Sequence, residues 1–313
     1  DFMTTFGIIF YQLLNFFLLI AVGFVAAKKK VISQDGMHTL AKLFTSVLLP
    51  CFFFITLYRA FTWQELLGVA PMLVITFCIY AFYAILFAVL SVVFKVHKKR
   101  RKVFQAMFAF INIPAIGFPL IGVLYPDAIG VYIPAITLVD SLLVWTYGVW
   151  LTTDTEKTGK KAKFNPKRLI NPVTVMVILA LIVTLADIHV PKLILNPITA
   201  LSKASNPVCM LYLGALIAST DLKKIFSYKE IYLGIGIKML LFPLLMAPLF
   251  KSLPISHEMV NVSLILASLP AMSSLPVLVK ENGTQVEFAT SGTLVTTLAS
   301  VVTMSIVAYF GMI

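Results

Sequence analysis

Residues 112–120 read Asn-Ile-Pro-Ala-Ile-Gly-Phe-Pro-Leu, and residues 269–276 read Leu-Pro-Ala-Met-Ser-Ser-Leu-Pro. Each segment lies inside an apolar stretch and holds two prolines that are five or six residues apart. A proline inside a helix removes an amide donor and clashes with the carbonyl four residues earlier. Because lipid offers no replacement partner, the freed carbonyls must be satisfied within the protein. We therefore predict two broken helices that are unwound in the middle of a membrane-spanning bundle.

The composition points to the same class of protein. The chain is 60% hydrophobic and only 12% charged, with a mean hydropathy of +0.97. Soluble domains carry roughly 25% charged residues. A chain with so little charge cannot cover a water-facing surface, so we expect an all-α integral membrane protein whose main surroundings are the lipid bilayer.

Ten apolar stretches follow one another along the chain, and most are close to the roughly 20 residues that a membrane-spanning helix needs. The seventh is short, which leaves its start uncertain. The sequence predicts ten transmembrane helices near residues 6–27, 38–57, 66–94, 103–124, 129–151, 170–185, 205–219, 231–250, 260–279 and 288–312.

Basic residues cluster in the loops on one side of the predicted bundle, and these loops account for most of the formal charge of +12. The other side holds few: Arg59, Lys192, Lys203 and Lys251. Cytoplasmic loops carry the excess of Lys and Arg, so both termini are predicted outside a plasma-membrane protein. The aromatic residues lie in the apolar stretches rather than among the basic ones, so we expect no nucleic-acid partner.

The prolines also indicate an internal repeat. Pro50 and Pro207 are separated by the same number of residues as Pro119 and Pro276. Each unit would hold five spans, an odd number, so the second unit is inverted relative to the first, as in many secondary transporters. The predicted boundaries are 1–153 for the first five-helix repeat, 154–169 for a cytoplasmic linker and 170–313 for the second repeat.

Several short motifs resemble those of the auxin efflux carrier family. Residues 112–120 are similar to the crossover in the fourth span of that family, and Tyr125-x-Asp127 also fits. Ser268-Leu269-Pro270, with Lys280-Glu281 after it, resembles the ninth span, and Lys238 with Pro243 resembles the eighth. The short linker is similar to that of bacterial members related to malate and malonate permeases. Ser273-Ser274 and one extra residue between the prolines depart from the plant pattern. The auxin specificity of the plant members therefore cannot be transferred to this chain.

The resemblance implies a fold similar to the bile acid symporters and sodium/proton antiporters. Spans 1, 2, 6 and 7 would form a scaffold, and spans 3–5 and 8–10 would form a mobile transport unit with an elevator-type motion. It implies transport of a small organic anion such as malate, malonate or auxin. It further implies a homodimer and no cofactor, with a proton or sodium ion as a possible coupling ion.

The candidate substrate-binding residues lie at the predicted breaks and on spans 2 and 8. The amide of Asn112 supplies both a donor and an acceptor, and Ser273 and Ser274 supply hydroxyls. Thr45, Ser46, Ser205 and Asn206 precede the prolines of spans 2 and 7 and form a possible scaffold face. The full predicted set is Asn112, Ile113, Pro114, Gly117, Pro119, Pro270, Ser273, Ser274, Lys238 and Ser46.

Three ionisable residues lie within the predicted spans, where a charge is costly. Asp140 is either a coupling-ion site, together with Thr297 at the equivalent repeat position, or a structural hydrogen-bonding partner of an unwound segment. Lys238 either contacts a substrate carboxylate or forms an ion pair or helix cap. Lys42 lies near a span end, where we expect its side chain to reach the interface.

Enzymatic function is not predicted. His38, His97, His189 and His257 lie at span ends or in loops, and we find no Ser-His-Asp grouping, P-loop or metal-ligand spacing. The leading hypothesis is a secondary active transporter of organic anions. A channel and a transporter-like receptor or sensor are the alternatives.

Overall fold

The residues that the computed structural model describes form helices joined by loops and turns, and none of them forms a β-strand. Among these residues the one bridge of β type joins Ile111 to Ala271 in antiparallel fashion. The description covers residues 2–58, 60, 62, 68–126, 128–153, 171–282 and 285–312. The predicted linker, Asp127 and the side chains of Pro119 and Glu281 lie outside it.

We number the long helices α1 to α10 and divide α4 and α9 into two halves, a and b, because each is interrupted. A short helix, Leu222–Ile225, precedes α8. The bounds are α1 Phe2–Lys28, α2 Gln34–Leu57, α3 Ala70–Val93, α4a Arg101–Ala109, α4b Phe118–Leu124, α5 128–152, α6 Pro172–Leu185, α7 Lys192–Ala218, α8 Lys229–Ser252, α9a His257–Ser268, α9b Leu275–Asn282 and α10 Val286–Gly311.

Five of the described helices are long and apolar enough to cross a membrane by themselves: α2, α3, α5, α8 and α10. The halves of α4 and α9 are too short to cross singly, since an α-helix rises 1.5 Å per residue. The number of ten spans therefore stays a prediction. One boundary was wrong: α7 begins at Lys192, not near residue 205. Its polar Ser202 and Ser205 are buried against other helices and do not interrupt it.

Wide helical turns precede three of the prolines. The π-helical turns Phe44–Leu48, Ile113–Gly117 and Gly236–Leu241 each end two residues before a proline, namely Pro50, Pro119 and Pro243. Proline has no N–H with which to close the regular hydrogen bond, and a widened turn is one way for a helix to continue around that gap. A fourth π turn, Val144–Gly148 in α5, has no proline after it.

The helices pack in two groups. In one, α1 packs along α7, and α2 packs on both α6 and α7. In the other, α3 packs on α4a and α5, while α8 and α9a pack on α10. Contacts between α2 and α5 and between α1 and α10 join the groups. The interrupted helices thus belong to the second group and face the first.

Candidate functional site at the meeting of the two breaks

The two unwound segments touch each other. The backbone N–H of Asn112 donates to the carbonyl of Pro270, with 3.0 Å between nitrogen and oxygen. The N–H of Ala271 donates to Oγ1 of Thr296 on α10 at 3.2 Å. Backbone groups released by the breaks are therefore partly satisfied by the opposite segment and by α10, as the absence of water in a bilayer requires. The sequence predicted both breaks, and the structure brings them together.

A cavity lies beside this meeting point, between the two groups of helices. The space within it that is open to the centres of water molecules is small, about 40 Å³. The lining residues are Phe44, Leu49, Phe52, Phe53, Ile111, Asn112, Pro114, Asp140, Val144, Trp145, Ser205, Asn206, Cys209, Met272, Ser273 and Ser274.

The polar wall of the cavity comes mainly from the breaks. Asn112 and Ser273 are buried, and the Ser273 hydroxyl donates to Oδ1 of Asn112 at 3.3 Å. The Nδ2 atom of Asn112 has no hydrogen-bond acceptor among the described residues. Pro114 and Ser274 complete this wall. Among the described residues, the side-chain donors near the meeting point of the breaks are thus only partly paired.

Asp140 contributes a carboxylate to the same cavity from α5. The residue is 6% exposed, and the phenol of Tyr80 on α3 donates a hydrogen bond to Oδ1. This partner was missed in the sequence, although a tyrosine hydroxyl inside an apolar span needs a hydrogen-bond partner and so carries a signal. The partner is on α3 rather than in an unwound segment, and the two interpretations of Asp140, as a coupling-ion site and as a structural partner of an unwound segment, stay predictions.

The opposite wall comes from α2 and α7. Ser205 and Asn206 line it as proposed, together with Cys209 and aromatic residues of α2. Thr45 is buried, but its hydroxyl bonds to the carbonyl of Ala41 at 3.1 Å and the residue does not line the cavity. Ser46 is exposed and is not part of the lining either.

Four other predicted residues lie near the breaks without lining the cavity. Ile113, the first residue of the π turn, and Pro270, in the second break, are both buried. Gly117 is a close-approach position, because a Cβ there would lie 3.0 Å from Cδ1 of Leu269. Thr297 is buried on α10, and its hydroxyl has no partner among the described residues.

The side chain of Lys238, on α8, reaches the C-terminal end of α9a and does not line the cavity. It is fully buried, and its Nζ donates to the carbonyl of Leu269 at 2.9 Å. Tyr83 of α3 donates to the neighbouring carbonyl of Ala267 at 2.6 Å. The C-terminal end of a helix is its electronegative end, where a cation is stabilising. This arrangement agrees with the predicted helix-capping role. Lys42, by contrast, is exposed.

Comparison with protein families gives a match over nearly the whole chain. The model of the family described as membrane transport protein, which contains the auxin efflux carriers, matches residues 8–308. The chain belongs to this family. The resemblance found in the proline-containing segments is therefore confirmed, and the protein is a multi-pass membrane transporter. No curated protein matches the sequence significantly.

Proposed function

We propose that this member of the membrane transport protein family is a secondary active carrier of a small organic anion, such as malate, malonate or an auxin-like carboxylate. The observation that carries the proposal is the meeting of two broken helices beside a cavity lined by Asn112, Ser273 and Asp140. Paired broken helices near the midplane are typical of substrate sites in secondary transporters.

The chemistry of the cavity suits an anion with an apolar part. The halves α4b and α9b begin at the breaks, and helix N-termini attract negative charge. The amide of Asn112 and the hydroxyls of Ser273 and Ser274 can donate hydrogen bonds to carboxylate oxygens. Phe52 of α2, in the opposite wall, can contact the carbon skeleton of the ligand.

Asp140 gives a physical reason for coupling anion transport to a proton or a sodium ion. An ionised Asp140 would repel a substrate carboxylate in the same cavity, since like charges at short distance disfavour each other. A proton or a sodium ion bound at Asp140 removes this repulsion. Anion and coupling ion would then load together, with the hydroxyl of Thr297, at the equivalent position of the second repeat, as a further candidate oxygen ligand.

The proposed architecture is ten spans in two inverted repeats, 1–153 and 170–313, joined by a cytoplasmic linker, with both termini outside the plasma membrane. The first packing group, α1, α2, α6 and α7, supports a scaffold role. The group containing the breaks would move against it in an elevator-type cycle. A homodimer through the scaffold is part of the same proposal.

Uptake by purified protein in liposomes tests the function. Radiolabelled malate, malonate and indole-3-acetate are offered separately, with a proton gradient, a sodium gradient or none. We expect accumulation of at least one anion above protein-free liposomes, and stimulation by one gradient. Uptake of none of them under any gradient would reject the organic-anion proposal.

A further inference from the structure

Trp145 is a cavity residue for which sequence reasoning gave no role. It lies in the π turn Val144–Gly148 of α5, a little more than one turn beyond Asp140, and both residues line the cavity. Its side chain is almost completely buried, at 6% exposure. The widened turn therefore places an indole ring in the wall that also carries the carboxylate.

The indole N–H of Trp145 has no acceptor among the described residues, and neither does Nδ2 of Asn112. Buried polar groups in native proteins nearly always have a partner, so an unpartnered one requires an explanation. Here two unused N–H donors belong to residues that line one cavity. Other polar groups beside them are engaged, since Ser273 bonds to Asn112 and Tyr80 bonds to Asp140.

Donors without acceptors specify the chemistry of the missing partner. An ionised carboxylate has two oxygens that only accept hydrogen bonds, whereas an ammonium or guanidinium group only donates. We propose that the indole N–H of Trp145 donates to the carboxylate of the transported anion, alongside the amide of Asn112. This inference rests on the proposed function, because it assigns a specificity-determining donor to the same site.

Replacement of single tryptophans tests the assignment. Trp145→Phe keeps an aromatic ring and removes the N–H. Trp150→Phe is the matched control, because Trp150 lies on the same helix but does not line the cavity. Its ring stacks on Tyr147, and the ammonium group of Lys102 lies over it. The affinity of purified protein is measured for malate, malonate and indole-3-acetate, using those that bind the parent.

We expect Trp145→Phe to weaken binding at least about tenfold, the size typical of a lost hydrogen bond to a charged group. Trp150→Phe should bind like the parent. Equal affinities in all three proteins, or equal weakening in both variants, would overturn the role of Trp145. If the parent binds and transports none of the anions, the proposed function itself fails, which is a different result.

Fluorescence of the unaltered indole gives a second test that does not depend on the Trp145 variant folding. The chain has 3 tryptophans, so Trp63→Phe with Trp150→Phe leaves Trp145 alone. Addition of the bound anion should change its emission, and the protein with Trp150 alone should respond less. An unchanged Trp145 signal at saturating anion would contradict the inference.

Discussion

Asn112 joins the two unwound segments through both its backbone and its side chain. Its N–H bonds to Pro270, and its side-chain oxygen accepts from Ser273, which leaves the amide nitrogen without an acceptor in the described structure. The residue thus has one part committed to the fold and one part that, under the proposed function, binds the ligand. Substitution of Asn112 can therefore affect folding as well as binding. Variants of Ser273 and Ser274 are needed beside it.

Loss of the polar groups at the breaks should weaken anion binding. We expect Asn112→Ala, and Ser273→Ala combined with Ser274→Ala, each to weaken affinity at least about tenfold, since a hydrogen bond to a charged group contributes roughly 1.5–3 kcal/mol. Ser268→Ala is the control, because among the described residues its hydroxyl bonds only within α9a, to the carbonyl of Ile265 at 2.9 Å. Parent-like affinity in both break variants would remove the crossover from the site.

Neutralising Asp140 should uncouple transport from the ion gradient. Asp140→Asn keeps the shape of the side chain and removes the charge, so it can neither load a proton nor hold sodium electrostatically. We expect loss of gradient-driven uptake in liposomes, with some exchange of substrate for substrate retained. Asp187→Asn, in the loop between α6 and α7, is the matched control and should behave like the parent.

A melting curve accompanies the Asp140 variant, because the carboxylate also accepts a hydrogen bond from Tyr80. A folded Asp140→Asn protein that responds to gradients like the parent would show that Asp140 is structural.

Sequence reasoning identified much of the polar wall, because polar residues in an apolar span need a role. Asn112, Ser273, Ser274 and Asp140 all line the cavity. Ser46 does not line it. Successive residues of a helix point in different directions, and knowing that Ser46 belongs to span 2 does not say whether its side chain faces the cavity. Trp145 could not be distinguished from the many other aromatic residues, because its place in the cavity lining beside Asn112 follows from the fold rather than from the local sequence.

Helices α1 and α7 approach each other closely at two glycines. A Cβ on Gly214 would lie 2.1 Å from the carbonyl oxygen of Ile20, and a Cβ on Gly23 would lie 2.2 Å from that of Leu211. Such contacts with backbone atoms cannot be relieved by turning a side chain. Small residues permit this close packing of membrane helices, and here they hold two members of the proposed scaffold together.

A side chain at this crossing should destabilise the protein. We expect Gly214→Ala to cost about 1–3 kcal/mol, the usual range for overpacking, seen as a lower melting temperature in detergent. Gly7→Ala is the control on α1, since nothing lies within 4 Å of its Cβ position. Its melting temperature should be unchanged or slightly higher, because alanine favours helix. Equal melting of the two variants would contradict the close crossing.

At the level of helices, the sequence indicated where the chain breaks but not how it continues. Paired prolines identified both interruptions. The π turn Val144–Gly148 could not be predicted, because no proline follows it and its geometry depends on packing, with Gly148 against Phe110. The start of α7 was missed because the polar residues before position 205 resemble a loop. In the structure Ser202 and Ser205 are buried within a continuous helix.

The arrangement of the whole molecule depends on the proposed orientation in the membrane. If the basic loops face the cytoplasm, the linker 154–169, which lies outside the described residues, is cytoplasmic. A single cysteine in that linker should be labelled in intact cells only after the membrane is made permeable. Labelling from outside by an impermeant thiol reagent would overturn the orientation of both repeats.

Protection by substrate of the cavity beside the two breaks tests the central claim most directly. The native cysteines Cys51, Cys78 and Cys209 are replaced by alanine, and single cysteines are introduced as Ser274→Cys in the cavity or Ser219→Cys at the end of α7. The rate of reaction with a thiol reagent is measured with and without the anion that the parent transports. The account predicts slower reaction at position 274 with anion and no change at position 219. Equal rates at position 274 with and without saturating anion would contradict it.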